Sequence, residues 1–266
     1  MHITITGNLG SGKSTVAKLL SEKYNFEVYS TGKVQRELAR QMNLSTLELN
    51  QLMMSDRKYD HMIDDETARI SRDNKDKNII FDSRLAWHFV PQSFKVFVSV
   101  NIDVAAERIM NDQRGSVEKY SSLEEAKRLL AERAKTESIR YKDIYNLNYM
   151  DFLNYDLVID STYCSQDIIA EIIMDEASEY YKKALDKIKS TKRLISPKSL
   201  IFTELDEVKD KDKLSKLIKE LESTIYAKDM VIKVNKKEDK FLVLDNIDYA
   251  KAAFYAGVKY LEIDIE

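Results

Sequence analysis

Cysteine, histidine, proline and glycine are all scarce, and each scarcity closes off a class of protein. A single cysteine, Cys164, in 266 residues excludes an internal disulfide and any zinc site built from several thiolates. The three histidines, His2, His61 and His88, are too scattered to suggest a metal cluster. Two prolines and six glycines leave few places for tight turns, so a helix-rich chain is expected. Long apolar runs are missing too, and none approaches the ~20 residues of a membrane-spanning helix. The chain starts directly in a β-branched run with no room for a secretory leader, so a soluble cytoplasmic protein is expected. Charge is plentiful but balanced, with Lys+Arg 42 against Asp+Glu 45 and a net charge of -3. No overall basic field exists to hold nucleic acid, and no nucleic-acid partner is expected. The length suffices for one large core or two moderate ones.

The few glycines are not spread evenly. Three of the six, Gly7, Gly10 and Gly12, stand in one loop, Gly7-Asn8-Leu9-Gly10-Ser11-Gly12-Lys13-Ser14-Thr15. The run His2-Ile3-Thr4-Ile5-Thr6 before it reads as a strand, and Val16, Ala17, Leu19 and Leu20 after it share one helix face. A strand, a GxxxxGK[ST] loop and a helix in that order form the phosphate-binding loop. Glycine backbones let successive N–H groups turn inward at phosphate oxygens, and the helix N-terminus adds its positive end. Lys13 is a mobile point charge suited to the β- and γ-phosphates, and the Ser14 hydroxyl suits Mg²⁺. Gly7, Gly10, Ser11, Gly12, Lys13, Ser14 and Thr15 are therefore the predicted nucleotide-binding residues, for a nucleoside triphosphate with Mg²⁺.

Further along, Phe26-Glu27-Val28-Tyr29 ends at Ser30-Thr31-Gly32, and Asn78-Ile79-Ile80-Phe81-Asp82 runs into Ser83-Arg84. Phe94 to Val100 and Tyr155 to Asp160 complete a set of strands separated by helical patterns. That alternation predicts an α/β fold, a P-loop NTPase parallel sheet with helices on both faces and a helical lid. Ligands then gather at the carboxyl ends of the strands. From Val104 to about Tyr145 the pattern is helical and rich in arginine, around a polar break at Gly115-Ser116 beside Arg114. Arg133, Glu137 and Arg140 are spaced i, i+4, i+7, on one helix face. They form either a surface ion-pair ladder or a set of arginines over a transferred phosphoryl group.

Five features together resemble the cytidylate kinases over about residues 1 to 178. They are the loop Gly7 to Thr15, Ser30-Thr31-Gly32-x-x-x-Arg36, Asp82-Ser83-Arg84-Leu85, Arg133-x-x-x-Glu137-x-x-Arg140-Tyr141, and Tyr155-Asp156-Leu157-Val158-Ile159. The resemblance implies ATP-dependent phosphorylation of a pyrimidine nucleoside monophosphate, CMP or dCMP foremost. Arg36 and Arg84 would hold the acceptor phosphate, with Asp82 and Glu137 also on the substrate side. Arg133 and Arg140 would close over the phosphates from the lid, sharing the catalytic work with Lys13. A kinase of another small metabolite is one alternative. The other is a nucleotide-dependent regulatory module acting through the C-terminal part.

Residues 179–198 read as a charged helical connector stopped by Pro197, with a domain boundary near 194–199. Residues 199–266 then show a lead-in segment, a helix from about Asp210, a hairpin around 231–244, a short helix ending at Gly257, and a last strand. This order resembles the ParB-like domain shared with sulfiredoxins, a small α+β unit. Asn246 and Tyr249 stand where that family carries phosphate-serving glycine and arginine, so this unit is expected to serve shape or contacts. A protein partner or a second copy of the chain would meet it there. The kinase part, cut near Ser196, is expected to fold alone.

Overall fold

The computed structural model describes residues 1–111, 120–182, 191–203 and 210–266. Arg114 and the break at Gly115-Ser116 lie outside the described residues. The chain runs β1 (His2–Gly7), α1 (Lys13–Tyr24), β2 (Glu27–Ser30), α2 (Thr31–Gln41), α3 (Thr46–Ser55) and α4 (Lys58–Asp73). Next come β3 (Ile79–Asp82), the short α5 (Ala86–Phe89), β4 (Phe94–Ser99), α6 (Ile102–Asn111), α7 (Leu123–Tyr145), β5 (Leu157–Asp160) and α8 (Gln166–Lys182). The remainder is β6 (Lys192–Ile195), β7 (Leu200–Ile201), α9 (Lys211–Leu221), β8 (Tyr226–Lys237), β9 (Lys240–Val243), α10 (Ile247–Tyr255) and β10 (Tyr260–Ile265).

Among the described residues, ten strands join one sheet in the order β2-β3-β1-β4-β5-β6-β10-β8-β9-β7. From β2 through β6 every neighbouring pair is parallel, as the strand–helix alternation predicts. Both faces are covered, so every residue of β1 and of β3 is buried. Successive residues point to opposite faces. Ile80, Val96 and Val98 pack with Val16 and Leu20 of α1 and with Ile169 and Ile173 of α8. Ile79 and Phe81 face Ala86 and Val90, and Phe97 meets Trp87, Tyr141 and Tyr155.

Helix ends follow local chemistry. Ser45 and Glu48 form a reciprocal capping box at the start of α3, with Glu48 N–H donating to Ser45 Oγ at 3.1 Å. Ser122 caps α7 by accepting from Glu125 N–H at 3.2 Å. Among the described residues, no helix is long and apolar enough to cross a membrane.

The expected helical connector over 179–198 needs correction. Helix extends to Lys182, residues 183–190 lie outside the described residues, and 192–195 form β6 instead. β6 pairs in parallel with β5 and antiparallel with β10, so the sheet runs unbroken past the expected boundary. Its alternation explains why. Leu194 enters the core beneath α1 and α8, while Ile195 enters the separate core of α10, β8 and β10. β10 bridges the same two cores, with Tyr260 in the first and Leu261 in the second. A four-residue strand is too short for its period to show in the sequence.

Candidate active site

The carboxyl ends of β1, β2 and β3 open into one cleft, roofed by α7. Gly10, Gly12, Lys13, Ser14 and Thr15 line one side of it, with Arg36 from α2 and Asp82 and Arg84 from the end of β3. Arg133 and Glu137 of α7 close it from above. The loop needs its glycines at two points in particular. A side chain on Gly7 would place its Cβ 2.2 Å from Val98 O, inside the β4 backbone. Gly12, at φ +82°, begins α1 in the left-handed region, where a Cβ would also strike Gln166 Nε2 at 2.8 Å. Ser11 is fully buried beside it.

On the floor of the cleft, the Asp82 carboxylate collects two hydroxyls. Ser14 Oγ donates to Oδ2 at 2.8 Å and Ser30 Oγ to the same oxygen at 3.1 Å. One carboxylate and one hydroxyl at the phosphate end of the loop form a hard oxygen set. It suits Mg²⁺, which takes one or two protein oxygens and fills the rest with phosphates and water. Asp82, which the resemblance puts on the substrate side, lines the cleft beside Arg84 and is bonded to Ser14 of the phosphate loop.

Glu137 organises the opposite wall. Arg84 Nε donates to Glu137 Oε2 at 2.8 Å, and Arg133 Nε donates to Oε1 at 3.1 Å. Arg84 Nη1 also donates to the Gly7 carbonyl at 2.8 Å, tying this wall to the phosphate loop. The carboxylate is only 3% exposed, so an unpaired charge there would be costly. Burial alone would raise its pKa, but Arg84 and Arg133 outweigh it and hold the group at about 2. Arg84 is correspondingly pushed up by Glu137 against the cost of its own burial. One ionised carboxylate therefore orients two guanidinium groups beside the cleft.

Sequence similarity bears on this arrangement. Residues 2–163 match the cytidylate kinase-like family. The chain belongs to that family. It is 34% identical to a cytidylate kinase from Methanococcoides burtonii over 186 residues, covering 70% of this chain and 97% of the relative. A cytidylate kinase from Methanosarcina barkeri is 34% identical over 176 residues, 65% of this chain and 94% of the relative. One from Methanocaldococcus jannaschii is 33% identical over 167 residues, 61% of this chain and 89% of the relative. The family match ends at residue 163, just past β5.

Of the predicted catalytic residues Lys13, Arg133 and Arg140, Arg140 is the one that this cytidylate kinase-like chain does not bring to the cleft. It is 1% exposed, and its Nη1 donates to Asn50 Oδ1 at 2.6 Å. Its Nη2 donates to Tyr141 Oη at 3.2 Å, and its Nε lies 3.4 Å from the Asp60 carboxylate. The i, i+7 spacing puts it on the face of Arg133, but two turns carry it about 10 Å along the axis. There α7 runs over α3 and α4 instead of the cleft. Thr46, on the same face of α3 as Asn50, meets Arg133 Nη1 at 3.4 Å. Sequence reasoning missed Thr46, Asn50 and Asp60. No local pattern named them, because their partners Arg133 and Arg140 lie on another helix.

Proposed function

We propose that this chain transfers the γ-phosphoryl group of ATP to a pyrimidine nucleoside monophosphate, CMP or dCMP. The observation that carries the reading is one cleft with two phosphate-binding halves. The loop with Lys13 forms one half, and Arg36, Arg84 and Arg133 face it as the other. An acceptor phosphate oxygen attacks the γ-phosphorus in line, and the bond to the departing ADP oxygen breaks. Such transfer depends on positioning and charge neutralisation, so no activated nucleophile is required. Lys13 and Arg133 supply charge where it accumulates, while Arg36 and Arg84 hold the acceptor. Ser14 and Asp82 would hold Mg²⁺, which neutralises phosphate charge when bound with the nucleotide. The named cytidylate kinases among the relatives support cytosine as the base.

A small-metabolite kinase is the second reading, and it would leave three arginines without an acceptor phosphate. A screen of nucleoside monophosphates with ATP and Mg²⁺ tests both. CDP or dCDP should form fastest, and the absence of transfer to every monophosphate would sink the proposal. We read residues 199–266 as a ParB-like unit without nucleotide chemistry of its own, supported by the order α9, β8, β9, α10, β10 and by Asn246 and Tyr249. The cytoplasm, where ATP is abundant, is the proposed place of action. A homodimer through this unit is checked by sedimentation of the full chain.

A further inference from the structure

The acceptor-side arginines occupy the flank of the phosphate loop formed by β2, β3 and α7. The ribose and base of the donor are thereby left the other flank, at the carboxyl ends of β4 and β5. Two short segments form that flank, and both are bonded to the phosphate loop or to each other. Asn8 N–H donates to Val98 O at 3.1 Å, and Val100 N–H donates back to Asn8 Oδ1 at 3.2 Å. Asn101 N–H donates to Thr162 Oγ1 at 3.0 Å. Arg108 Nη2 donates to Ser161 O at 2.6 Å, and Gln166 packs against Gly12.

Residues beyond the family match press on the same segments. Asn101 Nδ2 donates to Asp239 Oδ2 at 2.9 Å, from the turn between β8 and β9. Lys240 Nζ donates to Tyr163 Oη at 3.1 Å and to Lys198 O at 2.9 Å, and lies 5.3 Å from the centre of the Tyr163 ring. Tyr260 Oη donates to Asp160 O at 2.7 Å. The hairpin leans over the strand ends across a cavity of about 230 Å³ lined in part by Asn101, Thr162 and Lys240. Asp239 and Lys240 reach over 138 and 77 residues of sequence to grip the residues just past β4 and β5.

We propose that Asp239 and Lys240 are positioning residues for the donor nucleotide, setting ATP affinity through Asn101 and Tyr163. This rests on the kinase reading above. Neither belongs to the cleft lining that holds the acceptor arginines and Lys13, so their effect is expected on one substrate only. Both sit at the rim, outside the two cores, so their removal leaves the fold standing.

The test uses the full chain with Asp239→Ala and Lys240→Ala combined. ATP binding is measured by calorimetry without acceptor, alongside KM for ATP, KM for CMP and the melting temperature. Coupling through packed neighbours is worth about 0.5–2 kcal/mol, so the ATP Kd and KM should rise about 2- to 30-fold. KM for CMP and the melting temperature should hold. Asp239→Asn, which keeps an oxygen for Asn101, combined with Lys240→Arg should restore ATP affinity. Unchanged ATP Kd, equal changes in both KM values, or no rescue would overturn the proposal. If the unaltered protein binds ATP yet phosphorylates no monophosphate, the kinase reading falls and the Kd comparison still judges this one. If it binds no ATP, both fall.

Discussion

Glu137 holds two guanidinium groups with one carboxylate, and much of the acceptor wall rests on that one side chain. Glu137→Gln keeps the shape but removes the buried charge that Arg84 and Arg133 both donate to. Losing one member of a buried ion pair costs about 3–5 kcal/mol, so a clear drop in denaturant midpoint is expected, with a raised KM for CMP. The pH dependence has a definite sign. Because the folded pKa is depressed to about 2, Glu137 contributes stability above the usual carboxylate range and loses it as pH falls from about 4.5 towards 2. Acid titration of stability should lose this component in the Gln variant. Lys13 lies on the other side of the cleft. Lys13→Ala should lower kcat by at least about 10²–10³-fold, the scale of one lost charge-stabilising donor. Its circular dichroism spectrum should match the parent's, since the loop backbone is held by Gly7, Asn8 and Arg84. Near-normal turnover would remove the phosphate-loop mechanism.

At the scale of elements, α7 leads a double life. Its middle carries Arg133 and Glu137 over the cleft, and its C-terminal end is bolted to α3 and α4 by Arg140 and Tyr145. Tyr145 Oη donates to Asp64 Oδ2 at 2.7 Å, with Asp60 and Arg140 close by. Burial pushes Asp64 up to about 7; the Tyr145 hydrogen bond opposes the shift, and Asp60 adds to it. Between about pH 4 and 7 the folded state therefore keeps a proton that the unfolded chain releases. Stability should fall as pH rises through that window and level off above it. Asp64→Asn has nothing to titrate, so the decline should shrink, and the variant should gain on the parent from pH 5 to pH 8. Urea midpoints at those two pH values check this. Parallel pH profiles for the two proteins would mean that Asp64 is charged in the folded state.

For the whole molecule, the sheet crosses the boundary that Pro197 suggested. Cutting the chain after Ser196 would strip β10 from β6 and pull Tyr260, fully buried under α1 and α8, out of the first core. Removing an aromatic side chain of that kind costs about 3–5 kcal/mol by itself, before Leu194 is uncovered. The shortened protein is thus expected to melt well below the full chain, contrary to the independence that the sequence suggests. Differential scanning calorimetry of both proteins decides it, and equal melting temperatures would show that the two cores are independent.

The sequence alone determined the phosphate loop, the alternation of strands and helices, the parallel sheet and the candidate arginines. Each of these is written in short stretches: a glycine where a backbone must approach another, or a period of two or 3.6. What it left open depends on partners far apart in the chain. Asp82 and Ser14 meet across 68 residues, Arg84 and Glu137 across 53, and Arg140 and Asn50 across 90. No local pattern encodes such pairings, because they follow from how helices settle on the sheet. The same holds for Leu194-Ile195 and Tyr260-Leu261, where adjacent residues enter different cores. Local chemistry made them strands in waiting; only the packing of two cores against one sheet decided where they pair.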